Sequence, residues 1–299
     1  MDATTSLTGC VASLARVPEL PEVESVRRQL EPELLERRVD DVWFDAHPHA
    51  RLTDVELVVG HRIDAVERRG KFLLLPLGDG PMAPAVPLEL VLHLGMTGSL
   101  SFGPTPPEGA DPDGGVSHVR TRFVLDDGRT LRFRDPRRFG RVSVVPAGDY
   151  AGRIPTLHRL GPEPLSPAFD RDDFAAALAR TRAPVKARLL DQRLVAGVGN
   201  IYADEALWRA RIHPASRRVG RARAHELHGH LVDILTAAVE REGTTFSDYQ
   251  MVNGESGRYA DFLEAYGQAD LPCRRCGTTM QRTVIAGRGT TYCPRCQRA

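Results

Sequence analysis

At 299 residues, with 41% hydrophobic and 26% charged residues, the chain is long enough for two or three domains that each bury a core, and its composition is that of an ordinary globular protein. No apolar run is long enough to span a bilayer. The first seventeen residues carry Asp2 where an export signal needs positive charge and lack an apolar central stretch, so Leu7-Thr8-Gly9-Cys10 resembles a lipoprotein box only superficially; the expectation is an untargeted intracellular protein.

The net charge of +1 conceals segregation. Acidic side chains gather early (Glu19, Glu22, Glu24, Glu31, Glu33, Glu36), whereas Arg132, Arg134, Arg137, Arg138 and Arg141 crowd a short strip. Lysine survives at two positions, Lys71 and Lys186. Arginine keeps its charge but does not give up a proton, so the surviving lysines are candidates for proton transfer.

In chain order, Leu20, Val23, Leu30 and Leu34 form a helical stripe over residues 18–39, with prolines tolerated near its start. Residues 39–44, 62–77, 88–100, 118–125 and 130–145 read as strands, with Asp127-Gly128 as the hairpin signal between the last two. Proline- and glycine-rich interruptions at 76–87 and 103–115 read as surface loops. A different pattern begins near Pro162: residues 170–180, 184–194, 199–212 and 222–242 carry helical periodicity. The expected order is a β-rich lobe, a hinge, a helical lobe and a small C-terminal module.

That module contains Cys273, Cys276, Cys293 and Cys296, a C-x2-C-x16-C-x2-C pattern whose four thiolates can close a tetrahedron round one structural Zn²⁺. The ion replaces a core that so short a segment cannot build. Disulfides in a secreted protein are the alternative, and both the metal-like spacing and the absence of a secretory signal count against them. Residues 271–299 hold six arginines and no Asp or Glu, which points to phosphate and most simply to nucleic acid.

Several segments carry candidate chemistry. Pro18-Glu19-Leu20-Pro21-Glu22-Val23-Glu24 places three carboxylates at a helix start, where capping alone could explain them. Arg68-Arg69-Gly70-Lys71 sets a lysine at a turn into a strand, and Met96 stands between Gly95 and Gly98. Asp135-Pro136-Arg137-Arg138-Phe139-Gly140 offers Phe beside Arg on a loop, as a wedge into stacked bases requires. Gly197-Val198-Gly199-Asn200 follows a helix rather than a strand, so it is not a nucleotide-binding glycine loop.

Together these motifs resemble the formamidopyrimidine-DNA glycosylase family: PELPEVE (18–24), GKFLLL (70–75), HLGMTGSL (93–100), DPRRFG (135–140), LGPEPL (160–165), GVGNIYADEAL (197–207) and the four-cysteine ribbon. The resemblance implies an α+β multidomain fold. A β-sandwich lobe with flanking helices spans 18–147, a hinge 148–165, a helix-two-turns-helix lobe 166–262 and the zinc ribbon 263–299. Residues 1–17 are an extension.

It further implies a DNA-repair enzyme, a monomer in the bacterial cytoplasm and nucleoid, that flips oxidised purines out of damaged double-stranded DNA and cleaves the glycosidic bond. It implies no membrane partner. Pro18 is then the nucleophile that forms a Schiff base with the sugar, Glu19 the proton donor, Glu22 a supporting carboxylate, and Lys71 the bridge between lesion and phosphate. Met96, Arg137 and Phe139 fill the gap left by the base, and Arg137 pairs with the orphaned cytosine. His118, Lys186, Asn200 and Arg288 hold DNA.

The chain departs from the family pattern in two places. The family begins at its catalytic proline, whereas Val17 precedes Pro18 here and turns its nitrogen into an amide. Because GTG encodes valine internally and can initiate translation, the expectation is a start at position 17; proteolytic removal of the extension and an inactive damage-binding relative are the other readings. Arg258 and Tyr259 stand where relatives carry Tyr and Phe, and Gln268 where they carry Arg, in a region resembling the loop over the flipped base. An endonuclease VIII-like preference for oxidised pyrimidines is the enzyme alternative; PELPEV and DPRRFG favour the purine branch.

Overall fold

The computed structural model describes residues 17–47, 50–80, 86–105, 116–244, 252 and 257–298. The extension expected at 1–17 lies outside the described residues except for Val17. So do large parts of the expected loops at 76–87 and 103–115, and residues 253–256 of the altered loop.

Helix α1 (Leu20–Leu34) starts at Glu19, where the Glu22 carboxylate reaches back to accept from the Glu19 amide at 2.9 Å, and it buries Leu20, Val23, Val26, Leu30 and Leu34 on one side. Nine strands follow: β1 (Val39–Phe44), β2 (Leu52–Thr53), β3 (Glu67–Arg69), β4 (Phe72–Leu77), β5 (Leu88–His93), β6 (Ser99–Pro104), β7 (Val119–Leu125), β8 (Arg129–Arg134) and β9 (Arg141–Pro146). They form a four-stranded sheet in the order β1-β7-β8-β6 and a five-stranded sheet in the order β2-β9-β5-β4-β3. All pairings are antiparallel except β2 with β9.

The two sheets share one core. Phe123, Leu131 and Phe133 from one meet Leu73, Leu75, Leu90, Leu92, Val142 and Val144 from the other, with Val26 and Leu30 of α1 beside them. Strands β5 and β9 are buried on both faces. Their second face carries Val91 and Val145 against Ile154 and Leu157, so α2 (Pro155–His158) seals the outside of the five-stranded sheet. This is the expected sandwich.

The helical lobe comprises α3 (Arg171–Ala179), α4 (Val185–Leu190), α5 (Asn200–Arg209) and α6 (Arg221–Glu240). Asp170 caps α3 by accepting from the Asp172 and Asp173 amides. Leu227, Leu231, Ile234 and Leu235 of α6 pack on Ala203, Ala206 and Leu207 of α5 and on Phe174 and Leu178 of α3. Strands β10 (Gln281–Ile285) and β11 (Arg288–Tyr292) make the C-terminal hairpin. Its two-residue turn, Ala286-Gly287, has both φ angles positive, the geometry that matches strand twist. Trp208 of α5 packs in a small cluster with Ala265, Cys273, Met280 and Cys293, which seats the ribbon on the helical lobe.

Three strands expected as continuous are broken. Residues 62–77 divide at Gly70 (φ +57°), 88–100 at the turn containing Gly95 (φ +65°), and 130–145 at the 135–140 loop. At Gly95 a Cβ would stand 2.6 Å from both the Phe139 carbonyl carbon and the Gly140 nitrogen. The two interruptions therefore lie directly against each other, and apolar periodicity alone carries no trace of that contact. Among the described residues no helix is long and apolar enough to cross a membrane.

Candidate active site

Glu19 leaves the β-lobe and enters the helical lobe. Its buried carboxylate accepts from the Gly199 amide (2.8 Å), the Ile201 amide (2.8 Å) and the Tyr202 amide (3.4 Å), at the N-terminus of α5. Those amides have no partner within the helix, and the helix dipole favours negative charge there. Glu22, one turn on, accepts from the Tyr202 hydroxyl (2.7 Å) and from the amide (2.7 Å) and hydroxyl (2.9 Å) of Thr244. The Leu20 amide donates to the Gly197 carbonyl at 3.0 Å. The segment that begins with Pro18, itself buried, is thus fastened across the lobe boundary.

Lys71 approaches the same point from the β3–β4 turn. A Cβ at Gly199 would stand 2.5 Å from Glu19 Oε1 and 2.6 Å from Lys71 Nζ, so residue 199 must lack a side chain for the two charges to face each other. The turn is held by Glu163, which accepts from Arg68 (2.7 Å), Arg69 (2.8 Å) and the Gly70 amide (2.6 Å). Burial favours the neutral Glu163 acid, but Arg68, Arg69 and the Gly70 amide outweigh it and hold the carboxyl below its usual range.

A cavity of about 160 Å³ is lined by Val17, Glu19, Lys71, Asn200, Tyr266 and Arg288, among others. A larger one of about 500 Å³ lies between the lobes, lined by Arg51, Lys71, His93, Phe139, Arg141 and Arg193, among others. Lys71 borders both. Burial raises the Glu19 pKa from 4.5 to about 7, against the pull of Lys71 and with help from Glu22. Burial lowers the pKa of Lys71, opposed by Glu19 and Glu22 and reinforced by Arg288. Burial, with Lys71, Arg141 and Arg51, pushes His93 down to about 4, so that imidazole is neutral at physiological pH. Its Nδ1 accepts from the Gly95 amide at 3.0 Å.

The 135–140 loop is tied to the Met96 turn. Asp135, buried, accepts from the Thr97 hydroxyl (2.6 Å) and the Gly140 amide (2.7 Å), while the Arg137 amide donates to the Thr97 hydroxyl (3.2 Å). Arg138 is held by Asp45. Arg137 is exposed, with its guanidinium 4.9 Å from the centre of the Phe139 ring. Phe139 is 43% exposed despite its apolar ring, and Met96 is half-buried beside the loop. His118 is exposed in a left-handed conformation (φ +68°), and its carbonyl accepts from the Asp135 amide. Met96, Arg137 and His118 line neither cavity, whereas Phe139 of the same loop borders the larger one.

Lys186 stands apart from its expected place. Its side chain is 0% exposed, and Nζ donates to Asp204 (2.6 Å), the Thr290 hydroxyl (2.8 Å) and the Gly289 carbonyl (3.2 Å). All three donors are occupied inside the protein, so it offers no face to a DNA backbone. Asn200 donates to the Gly289 carbonyl at 3.0 Å, whereas its Oδ1 has no partner. Arg288 is exposed at the cavity rim.

Three family profiles match in succession. The one described as the formamidopyrimidine-DNA glycosylase N-terminal domain covers residues 17–142, the formamidopyrimidine-DNA glycosylase H2TH domain covers 160–250, and a zinc finger found in FPG and IleRS covers 270–299. The chain is 47% identical over 285 residues to the formamidopyrimidine-DNA glycosylase of Thermus thermophilus, covering 94% of this chain and 98% of the relative. It is 43% identical over 287 residues to that of Deinococcus radiodurans, covering 94% and 97%. The chain belongs to the formamidopyrimidine-DNA glycosylase family. The crystal structure of the T. thermophilus protein, MutM (Fpg), superposes with a TM-score of 0.82 over 94% of this chain and 98% of that one. A Lactococcus lactis Fpg in complex with DNA containing an abasic site superposes with a TM-score of 0.81 at 30% identity, over 94% and 100%.

The family's zinc-finger module coincides with the one cluster of metal-ligating side chains found among the described residues. The four cysteine sulfurs lie within 4.8 Å of one another and none forms a disulfide. Ligands at about 2.3 Å from a tetrahedral ion stand about 3.8 Å apart, so the set fits a single metal.

Sequence reasoning missed Tyr202 and Thr244, which hold Glu22, and Glu163, which holds the Lys71 turn. It also missed Tyr266 and the pair Asp204-Glu205. A signal existed for the last: two adjacent carboxylates interrupt α5, where Ile201 to Trp208 are all buried. Buried carboxylates require partners.

A carboxyl whose folded pKa lies above its unfolded value holds a proton that the unfolded chain has released. Its contribution to stability is full below 4.5 and declines as pH rises toward 7. Urea unfolding at about pH 5 and about pH 8 should therefore show the parent losing stability relative to Glu19→Gln as pH rises, since titrating groups not coupled to Glu19 cancel in the difference. A gap between the two proteins that stays constant or widens in the parent's favour would contradict the raised pKa.

Proposed function

We propose that this chain excises oxidised purines, 8-oxoguanine and formamidopyrimidines, from duplex DNA and then cleaves the strand at the resulting abasic site by β,δ-elimination. The observation that carries the reading is the buried Glu19 carboxyl on the α5 N-terminus, facing Lys71 and directly following Pro18.

With a free amine, Pro18 supplies the nucleophile. An N-terminal amine titrates near about 8, against about 10.4 for lysine, so a usable fraction is neutral at physiological pH. Attack of the nitrogen on the sugar C1′ forms the N–C bond and breaks the glycosidic bond; the electron pair leaves with the base, which takes up the proton that the amine gives away through Lys71. Protonated Glu19 gives its proton to the sugar ring oxygen, and ring opening leaves a Schiff base. The imine of a secondary amine is a permanent cation, which draws electrons from the sugar and favours loss of the 3′ and then the 5′ phosphate. Glu22 braces Glu19 through its backbone amide. Lys71, with a lowered pKa, bridges lesion and phosphate and passes protons. While Val17 is attached the Pro18 nitrogen is an amide and this sequence cannot start, so the competent form begins at Pro18; the full chain would bind damage without cutting.

Phe139, Met96 and Arg137 supply the wedge. Extruding a base costs about a few kcal/mol, less at a damaged pair, and an exposed ring beside a guanidinium offsets part of it. Asn200 and Arg288 beside the cavity, and His118 next to the 135–140 loop, contact the DNA backbone. The four cysteines hold one structural Zn²⁺, which stabilises the ribbon that carries Arg288. The protein acts as a monomer on damaged double-stranded DNA.

The test is excision by the chain beginning at Pro18, with 8-oxoguanine·cytosine and thymine-glycol duplexes in competition. Preference for the first supports the purine reading, and preference for the second replaces it with an endonuclease VIII-like one. In the same assay Arg137→Ala should lose discrimination for cytosine opposite the lesion by about 1–3 kcal/mol; unchanged ranking of opposing bases would remove Arg137 from that role. Chelation should abolish amide protection from about residue 270 onward while sparing the β-lobe, and a chelated protein with intact protection there would rule out a structural metal.

A further inference from the structure

The buried pair Lys186–Asp204 lines neither cavity, yet it ties helices α4 and α5 to strand β11. Asp204 lies on α5, the helix whose N-terminus holds Glu19, and is 1% exposed. One carboxylate oxygen accepts from Lys186 Nζ and the other from the Thr291 amide at 3.0 Å. Lys186 passes the connection on by donating to the Thr290 hydroxyl, and that hydroxyl donates to the carbonyl of Arg288 at 3.0 Å. Gly289, between them, is held through its carbonyl by both Lys186 and Asn200. Every residue from 288 to 291 is thereby bonded, directly or through one hydroxyl, to the helical lobe.

A buried ion pair is a poor source of net stability, because desolvation of the two charges cancels most of their attraction. Its value lies in directional fixing of whatever it bonds to. Here the bonded object is the strand that begins at Arg288, immediately after a two-residue turn. The Trp208 cluster seats the base of the ribbon but includes no residue of β10 or β11, so polar anchors along β11 fix where the hairpin tip points.

We propose that Asp204, acting through Lys186 and Thr290, is a positioning residue: it locks the first strand residues of the ribbon to α5 so that Arg288 lines the same cavity as Glu19 and Lys71. Helix α5 then carries both sides of the site, Glu19 on its N-terminal amides and Arg288 through its buried carboxylate. The inference rests on the proposed function in taking the ligand of Arg288 to be a DNA phosphate beside the lesion.

The test is a double-mutant cycle read as salt dependence. The zinc-loaded full chain is titrated with a duplex carrying a tetrahydrofuran abasic analogue opposite cytosine, which cannot be excised, over a range of salt concentrations. Arg288→Gln should weaken binding about tenfold and lower the slope of log affinity against log salt by about 1, the signature of one lost phosphate contact. Asp204→Asn should reproduce much of both changes although it touches no DNA, and the double variant should be no worse than Arg288→Gln alone. A change that merely loosens the fold would leave the slope alone and add to the effect of Arg288→Gln.

Zinc content shows whether each variant retains its ribbon. If Asp204→Asn does not, Thr290→Val, which removes only the hydroxyl link, takes its place in the cycle with the same expectation in reduced size. Additive losses, or an unchanged salt slope in the Asp204 or Thr290 variant, overturn the positioning role while leaving the proposed function standing. A parent chain that does not bind the abasic duplex overturns both.

Discussion

The contact between the Glu19 carboxylate and the first amides of α5 is the constraint on which the rest of the structure depends. It joins residues far apart in sequence and from separate cores, the β-sandwich with α1 on one side and the helical lobe on the other. Burial alone would make an ionised carboxylate there costly, and the helix terminus supplies the donors that make it tolerable. The opposition leaves Glu19 with a pKa near neutrality, at about 7, where a carboxyl can both hold and release a proton. The same contact fixes the direction in which the chain enters the cavity, and with it the place of Pro18.

Around that contact the supporting interactions form concentric layers. Tyr202 and Thr244 hold Glu22, which holds the Glu19 amide; Glu163 holds the turn that presents Lys71. Both arrangements put a carboxylate against backbone amides, which are fixed by the fold and cost no side-chain entropy to order. Gly199 has a separate reason to be glycine: the space its Cβ would take is already shared by Glu19 and Lys71. The projecting loop of Arg137 and Phe139 is stiffened through Asp135 and Thr97 rather than by burial, which leaves its apolar ring in solvent and available.

Much of this was legible in the sequence. Strand β1 and the four helical patterns fall close to their expected places, because each carries an apolar period long enough to name its type. The β4–β5 and β7–β8 pairings follow the hairpin order. The cysteine spacing anticipated the cluster of four sulfurs, and motif resemblance drew attention to Glu19 and Lys71, which the fold brings together at Gly199. What could not be read were contacts between segments distant in the chain. Gly95 and Gly140 look like ordinary turn residues until each is seen to lie against the other's loop. The family resemblance assigned Lys186 to DNA, and nothing local announces that Asp204, Thr290 and Gly289 converge on its amine. Short strand β2, two residues long, has no periodicity to detect.

The central claim is that the Pro18 nitrogen, once free, is the group this architecture presents to the sugar. Borohydride trapping on an 8-oxoguanine·cytosine duplex tests it most directly, comparing the 299-residue chain with one that starts at Pro18. The account predicts a covalent protein–DNA adduct from the shorter chain alone, since reduction captures an imine that an amide nitrogen cannot form. An adduct of equal yield from the full chain would mean that another amine does the chemistry, and binding without trapping by either would mean that the site recognises damage and does not cut it.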